Sequence, residues 1–271
     1  FKKEEYLDAV KKAKEYIRQG DIYQVNLSQR FRATSALAPV QLYGRLRDIS
    51  PTCFSGYFDG GDFQILSASP ERFLHVKGSQ VSTRPMKGTR GRCARRRDNE
   101  KLKNELWCSE KDKAELAMIV DLERNDLGRV CEYGSVRVKT MRQLETYATV
   151  FQTTATVQGR LHHSKDRIDL LRACFPGGSI TSCPKIRAMQ IIEELEPVRR
   201  SLYTGCFGYI SFSGSMDLNV LIRTILKKGR ELYFGVGGGI VADSQPEAEY
   251  EETLVKAHAL MRAIGLQRQG R

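Results

Sequence analysis

An α+β fold is predicted for this 271-residue chain by three features of its sequence. Apolar residues recur first at spacings of three and four and then switch to alternation at period two. Strand-like runs follow one another with turn signals between them, and helices are interspersed among the runs rather than alternating with single strands. No full G-x-G-x-x-G or G-x-x-x-x-G-K-[ST] occurs, so neither a dinucleotide fingerprint nor a Walker A loop is present.

Lys3 to Gln19 reads as an amphipathic helix, with Tyr6, Val10, Ala13 and Ile17 on one face and Gly20 as its stop. Tyr23, Val25, Leu27 and Phe31 then alternate with Gln24, Asn26, Ser28 and Arg30, a strand whose polar face is rich in amides. An ordinary edge-strand surface explains that face as well as a binding surface does. Short strands are expected at Cys53–Phe58, Phe63–Ala68 and Arg72–Val76, with Asp59-Gly60-Gly61 as a turn. Residues 87–103 are the most basic stretch, with Lys87, Arg90, Arg92, Arg95, Arg96, Arg97, Lys101 and Lys103. They are expected to form a mobile loop beside an anionic substrate or a partner subunit.

Ser109 opens a long helix to about Leu127, with Asp112 as a weak capping-box partner. Gly134–Thr140 and Tyr147–Val157 are β-rich. A short helix over Arg167–Ala173 ends before Pro176-Gly177-Gly178, and the next starts with Pro184 at its first position and runs to Leu195. Strands are predicted over Gly205–Phe212, Asn219–Leu226 and Glu231–Val236. Ser244 and Glu247 form an S-x-x-E box at the start of the last helix, with Pro246 in its first turn.

A hydrophobic fraction of 41% excludes general disorder. No run approaches the ~18 apolar residues of a membrane helix, and the N-terminus lacks a signal-peptide core. A start at Phe1 suggests an upstream segment. The 44 Lys and Arg against 32 Asp and Glu leave a net charge of +12, which calls for an anionic partner without naming it. Scattered aromatics offer no stacking platform for nucleic acid. None of the seven cysteines forms a C-x-x-C pair; reduced thiols and a cytoplasmic location are expected.

Chemistry-bearing residues stand out in a few places. Glu193/Glu196 and Glu249/Glu252 each place two carboxylates on one helical face, a pattern that suits Mg²⁺ but is also common on solvated helices. Gly237-Gly238-Gly239 would let backbone N–H groups approach an anion. Lys87, between Arg84 and Arg90, is a candidate nucleophile with a depressed pKa, and Glu71 a candidate acid if buried.

Several long motifs in one order carry a resemblance that covers essentially the whole chain. They are YIRQGDIYQVNLSQRF (16–31), SPERF (69–73), RPMKGT (84–89) and KAELAMIVDLERNDLGRV (113–130). FPGGSITSCPKIRAMQIIEELEP (175–197), GYISFSGSMDLNVLIRT (208–224) and GGGIVADSQPEAEYEET (237–253) complete the set. The chain resembles the chorismate-utilising enzymes, and within them the branch that replaces the ring hydroxyl of chorismate by an amino group for folate synthesis.

The resemblance implies large antiparallel sheets flanked by helices, and one catalytic domain over 1–271 with the family's N-terminal segment absent. It implies chorismate and ammonia as substrates, a glutamine amidotransferase subunit as partner, and no nucleic acid or membrane. Mg²⁺ is implied as cofactor, with Glu196 and Glu252 as direct ligands, Glu193 and Glu249 acting through water, and Glu115 nearby. Lys87 matches the nucleophile and Glu71 the general acid/base. Arg223 and Gly237, Gly238 and Gly239 match groups that hold a substrate carboxylate; Ser179, Thr181 and Thr89 match the pocket lining.

Two positions discriminate within the family. Anthranilate synthases usually carry Ala where this chain has Lys87, and isochorismate and salicylate synthases usually carry Lys in place of Gln24. Gln152 departs from the pattern, standing where many relatives have His. It is read as polar pocket lining without an acid role.

Overall fold

A computed structural model describes residues 1–93, 96–147 and 150–266. The first half contains α1 (Lys3–Arg18), β1 (Val25–Thr34), α2 (Pro39–Ile49), β2 (Phe54–Asp59), β3 (Gln64–Ser69), β4 (Arg72–Lys77), β5 (Gln80–Arg84) and β6 (Met86–Gly91), followed by α3 (Arg96–Cys108) and α4 (Glu110–Gly128). The second half contains β7 (Arg137–Thr146), β8 (Val150–Arg160), α5 (Arg167–Cys174), α6 (Gly178–Thr181), α7 (Lys185–Leu195), β9 (Cys206–Ile210), β10 (Met216–Val220), β11 (Thr224–Lys228), β12 (Glu231–Ile240) and α8 (Pro246–Ala263). The mixed α+β class is as expected from the sequence. No helix among the described residues is long and apolar enough to cross a membrane.

The chain forms two compact units. The first takes Phe1–Pro70, Ile180–Gly205 and the chain from Leu221 onward. Its five-stranded sheet has the order β1-β12-β11-β3-β2, with every neighbour antiparallel. Tyr6, Val10 and Ala13 of α1 pack with Val25 and Leu27 of β1, Ile191 and Leu195 of α7, and Ile240 of β12. Leu42 and Leu46 of α2 join Leu66, Ile225, Phe234 and Leu260 in a second cluster. Full burial of each such aliphatic or aromatic side chain contributes about 1.5–3 kcal/mol.

The second unit takes Glu71–Ser179 and Cys206–Val220. Its sheet follows the order β6-β8-β5-β4-β10-β9, with β7 paired to β8. Helix α4 packs across β8 and β6 through buried Leu116, Ile119 and Val120. The Ser109 hydroxyl caps α4 by accepting the Asp112 N–H at 3.2 Å, while the Asp112 carboxylate binds Arg90 at 3.1 Å.

Several expectations are corrected. Residues 87–91 and 96–103 do not form a loop: β6 and α3 take them, β6 by pairing with β8 and α3 by burying Leu106. Arg95 of that run lies outside the described residues, as do residues 148 and 149 at the start of the expected strand over 147–157. Helix α2 escaped the pattern reading although Pro39 opens it and Leu42 and Leu46 lie one turn apart. The single strand expected over Asn219–Leu226 is two, β10 and β11, each in a different sheet. Arg223, with φ +49°, takes a left-handed conformation between them.

The S-x-x-E box does not form. Pro184 and Gln245 are N-caps, and Pro246 is the first residue of α8. Ser244 therefore falls one residue short of the cap. Its hydroxyl donates instead to Glu249 Oε1 at 2.6 Å.

Candidate active site

In the second unit, Glu71 lies just before β4 and is 4% exposed. Burial pushes its carboxyl up to about 7, opposed by Ser179, by the Lys87 ammonium and by the Met86 backbone N–H. The buried Ser179 hydroxyl is turned toward this carboxyl without the geometry of a regular hydrogen bond and has no other partner. A carboxyl poised near neutrality beside a lysine is able to exchange a proton at physiological pH.

Lys87 sits on β6 opposite Thr153 of β8, whose hydroxyl donates to the Lys87 carbonyl. The ladder breaks between Lys87 and Thr89. Gly88 makes that break with φ +77°, and a Cβ there would meet Leu106 Cδ1 at 2.8 Å. The expectation that Arg84 and Arg90 tune Lys87 is corrected. Arg84 is paired with Glu145 and Arg90 with Asp112, so both cations are compensated, and Glu71 is a charged neighbour of Lys87.

Thr89 pairs with Gln152 across the same strands, and the Gln152 amide donates to the Thr89 hydroxyl at 3.3 Å. Gln152 is 1% exposed, yet its Oε1 has no partner. Such an orphan acceptor is costly unless a ligand or water fills it. Glu115 lies on α4 in this unit, 4.0 Å from Lys111.

Glu71 also makes a pH prediction. Its folded value of about 7 lies above the ordinary 4.5, so the fold binds this proton more tightly than the unfolded chain does. The associated stability is complete below about pH 4.5 and is lost as pH rises through about 7, with a ceiling of ~3 kcal/mol. The Tm of the wild type relative to Glu71→Gln should therefore fall between pH 4.5 and 7. A pH-independent difference would refute the raised value.

In the first unit, the polar residues at the start of β1 are buried: Gln24, just before the strand, is fully enclosed, and Asn26 and Ser28 are nearly so. Both faces of this segment are covered, which excludes the solvated-edge reading. Gln24 Oε1 accepts from the Ser182 hydroxyl at 3.3 Å, and its Nε2 has no partner. A Cβ on Gly239 would fall 2.2 Å from that nitrogen, so only glycine leaves room for the amide. Likewise, a Cβ on Gly237 would come 2.6 Å from the Leu27 carbonyl. Thr181 is buried in α6, and the Arg223 carbonyl accepts the Ala68 N–H at 3.1 Å.

Three glutamates converge on this part of the unit. Glu196 Oε1 accepts the Ser28 N–H and hydroxyl, each at 2.8 Å, and Ser28 is opposite Gly237 in the β1–β12 ladder. A Cβ on Gly238 would lie 3.4 Å from Glu249 Oε2 and 3.5 Å from Glu252 Oε1. The Tyr6 hydroxyl experiences all three carboxylates, and burial together with their charge raises its pKa. Glu193 is largely exposed and pairs with Arg199 at 3.0 Å. A cavity of about 270 Å³ beside Glu196 is lined by Ser28, Arg200, Tyr203, Tyr233 and Gly235 among others.

The oxygen-only donor set suits a hard divalent cation. Among the described residues, no three acidic, His or Cys side chains stand close enough as placed to share one. Glu196 is bound by Arg200 and Glu252 by Lys256. The sequence reading missed both cations, although each lies four residues after its glutamate. It also took Tyr6 for core alone and passed over Tyr203, whose ring occupies the space a Cβ on Gly235 would need.

A protein-family model described as chorismate binding enzyme matches residues 1–262. The chain belongs to this family. Members similar to it include aminodeoxychorismate synthase component 1 of Bacillus subtilis (strain 168), 45% identical over 98% of this chain and 57% of the relative. Anthranilate synthase component 1 of Aquifex aeolicus (strain VF5) is 47% identical over 97% of this chain and 53% of the relative. The crystal structure of anthranilate synthase component I from Streptococcus pneumoniae TIGR4 superimposes with a TM-score of 0.89 at 38% identity, covering 97% of this chain and 58% of that one. The chain thus spans little more than half the length of these chorismate binding enzymes.

Proposed function

We propose that this chain aminates chorismate with ammonia, giving 4-amino-4-deoxychorismate for para-aminobenzoate and folate synthesis, as the catalytic part of an aminodeoxychorismate synthase component 1. The observation that carries this reading is the Lys87–Glu71 pair, a lysine beside a buried carboxyl whose pKa is raised to about 7. In the proposed reaction the neutral Lys87 Nζ forms a bond to the ring as the C–O bond to the ring hydroxyl breaks. Glu71 supplies the proton with which the hydroxyl departs as water. Ammonia then displaces the Lys87 nitrogen, and the proton released returns to Glu71, so one difficult substitution becomes two easier ones.

Gln24, Thr89, Gln152, Ser179 and Thr181 are assigned to binding the substrate's polar groups, and Arg223 with the amides of Gly237–Gly239 to a carboxylate. Glu196 and Glu252 would hold Mg²⁺ directly, Glu193 and Glu249 through water, with Glu115 in a supporting position. When bound, Mg²⁺ would neutralise a substrate carboxylate. The relatives' designation as component 1 supports a separate glutamine amidotransferase as the ammonia source. A cytoplasmic location fits a reaction of free metabolites and seven cysteines outside disulfides.

The second reading is anthranilate synthase component 1, favoured by a relative of that name at 47% identity against 45% for the aminodeoxychorismate synthase. Chorismate, ammonium and Mg²⁺ should yield 4-amino-4-deoxychorismate on chromatography; anthranilate and pyruvate as products would overturn the first reading for the second. Turnover with ammonium but not with glutamine would place the amidotransferase on another chain.

A further inference from the structure

We propose that Arg200 is a built-in counter-cation for Glu196, which a divalent cation must displace to bind there. The inference rests on the metal assignment made above and concerns what governs that site when it is empty of substrate. Arg200 follows Glu196 by four residues, beyond the end of α7, and the side chains of Glu196 and Arg200 are only 4% and 13% exposed. Arg200 Nε reaches Glu196 Oε1 at 3.2 Å and Oε2 at 2.9 Å, and Nη2 reaches Oε1 at 2.7 Å. Two further N–H groups are engaged: Nη1 donates to the Ile180 carbonyl at 2.8 Å, and Nη2 also to the Asn26 carbonyl.

With the two Ser28 donors added, Glu196 Oε1 accepts four hydrogen bonds and Oε2 one. A cation seeking this carboxylate meets an oxygen already saturated and a fixed positive charge against the other. Glu252 has an exposed counterpart of this pair, with side chains of Lys256 and Glu252 39% and 49% exposed. Lys256 binds it at 2.7 Å, again at i+4, and is anchored to the Gly237 carbonyl at 2.8 Å. The two proposed direct ligands therefore each carry an internal cation pinned to the β1–β12 pair.

The arrangement supplies the buried Glu196 carboxylate with an internal compensating charge. Carboxylates gathered around one buried tyrosine repel one another, and an uncompensated buried charge is strongly destabilising. A compensating guanidinium removes that penalty but competes with any incoming cation, so metal affinity is set by the difference between two bound states.

The opposing view is that Arg200 only holds Glu196 in position. The two views predict opposite signs. Mn²⁺ binding, followed by electron paramagnetic resonance and calorimetry without substrate, should be at least tenfold tighter in Arg200→Gln than in the wild type, and within about threefold of wild type in Arg200→Lys. Equal or weaker binding in Arg200→Gln would overturn the proposal while leaving the metal assignment standing. Absence of Mn²⁺ binding in the wild type and in both variants would overturn the metal assignment and this inference together. If Arg200→Gln does not fold, the Nε–Hε resonance of Arg200 in the wild type, titrated with Mg²⁺, decides. A saturating shift supports displacement, and an unmoved resonance under saturating Mg²⁺ refutes it.

Discussion

Lys87→Ala is expected to reduce ammonia-dependent formation of 4-amino-4-deoxychorismate by at least ~1000-fold, an effect of about 4 kcal/mol on the barrier. The expectation follows from covalent participation: a nucleophile that makes and then yields the bond to the ring has no substitute in the remaining side chains. The fold should survive, because Lys87 is joined to β8 through its backbone and through its carbonyl's bond with Thr153. Circular dichroism and thermal melting establish that control. Ammonia-dependent turnover within tenfold of wild type would refute the nucleophilic role. Conversion of the variant to an anthranilate producer would show that Lys87 selects the ring carbon as well as attacking it.

Gly88→Ala should damage both stability and activity. At φ +77° an L-residue pays about 1–2 kcal/mol in local strain. The new methyl would also stand 2.8 Å from Leu106 Cδ1 and 3.0 Å from Asp112 Cβ, an overpacking that costs about 1–3 kcal/mol. Together these predict a Tm lower by roughly 5–15 °C. Relief by shifting β6 would move Lys87, and a displacement of ~1 Å at a reacting group costs on the order of a hundredfold in rate. Gly91→Ala, on the same strand with nothing within 4 Å of its Cβ, is the control and should melt like the wild type. Equal Tm values for the two variants would refute the argument.

Local signals identified most of the elements. The helical spacing of Tyr6, Val10 and Ala13, the Ser109 cap and the alternation through Val25 and Leu27 all correspond to regular structure. Failures occur where a neighbour in sequence was taken for the partner in space. Ser244 was paired with Glu247 by spacing, but Pro246 moves the cap to Gln245 and leaves the hydroxyl to Glu249. Arg84 and Arg90 flank Lys87 in sequence, yet strand geometry hands them to Glu145 and Asp112. The charge on residues 87–103 suggested a loop because charge is a surface signal; a strand pairing and one buried leucine suffice to order the described part.

The motifs alone placed the chain among chorismate binding enzymes and singled out Lys87, Glu71 and four glutamates as candidates, because a motif is legible in linear order. The tertiary structure alone decided their electrostatic state. It buried Glu71 until its carboxyl titrates near 7, enclosed Gln24 and Asn26, and brought the Ser28 N–H and hydroxyl onto Glu196. Desolvation and ion pairing depend on what surrounds a side chain in three dimensions, and residues distant in sequence supply most of that surrounding.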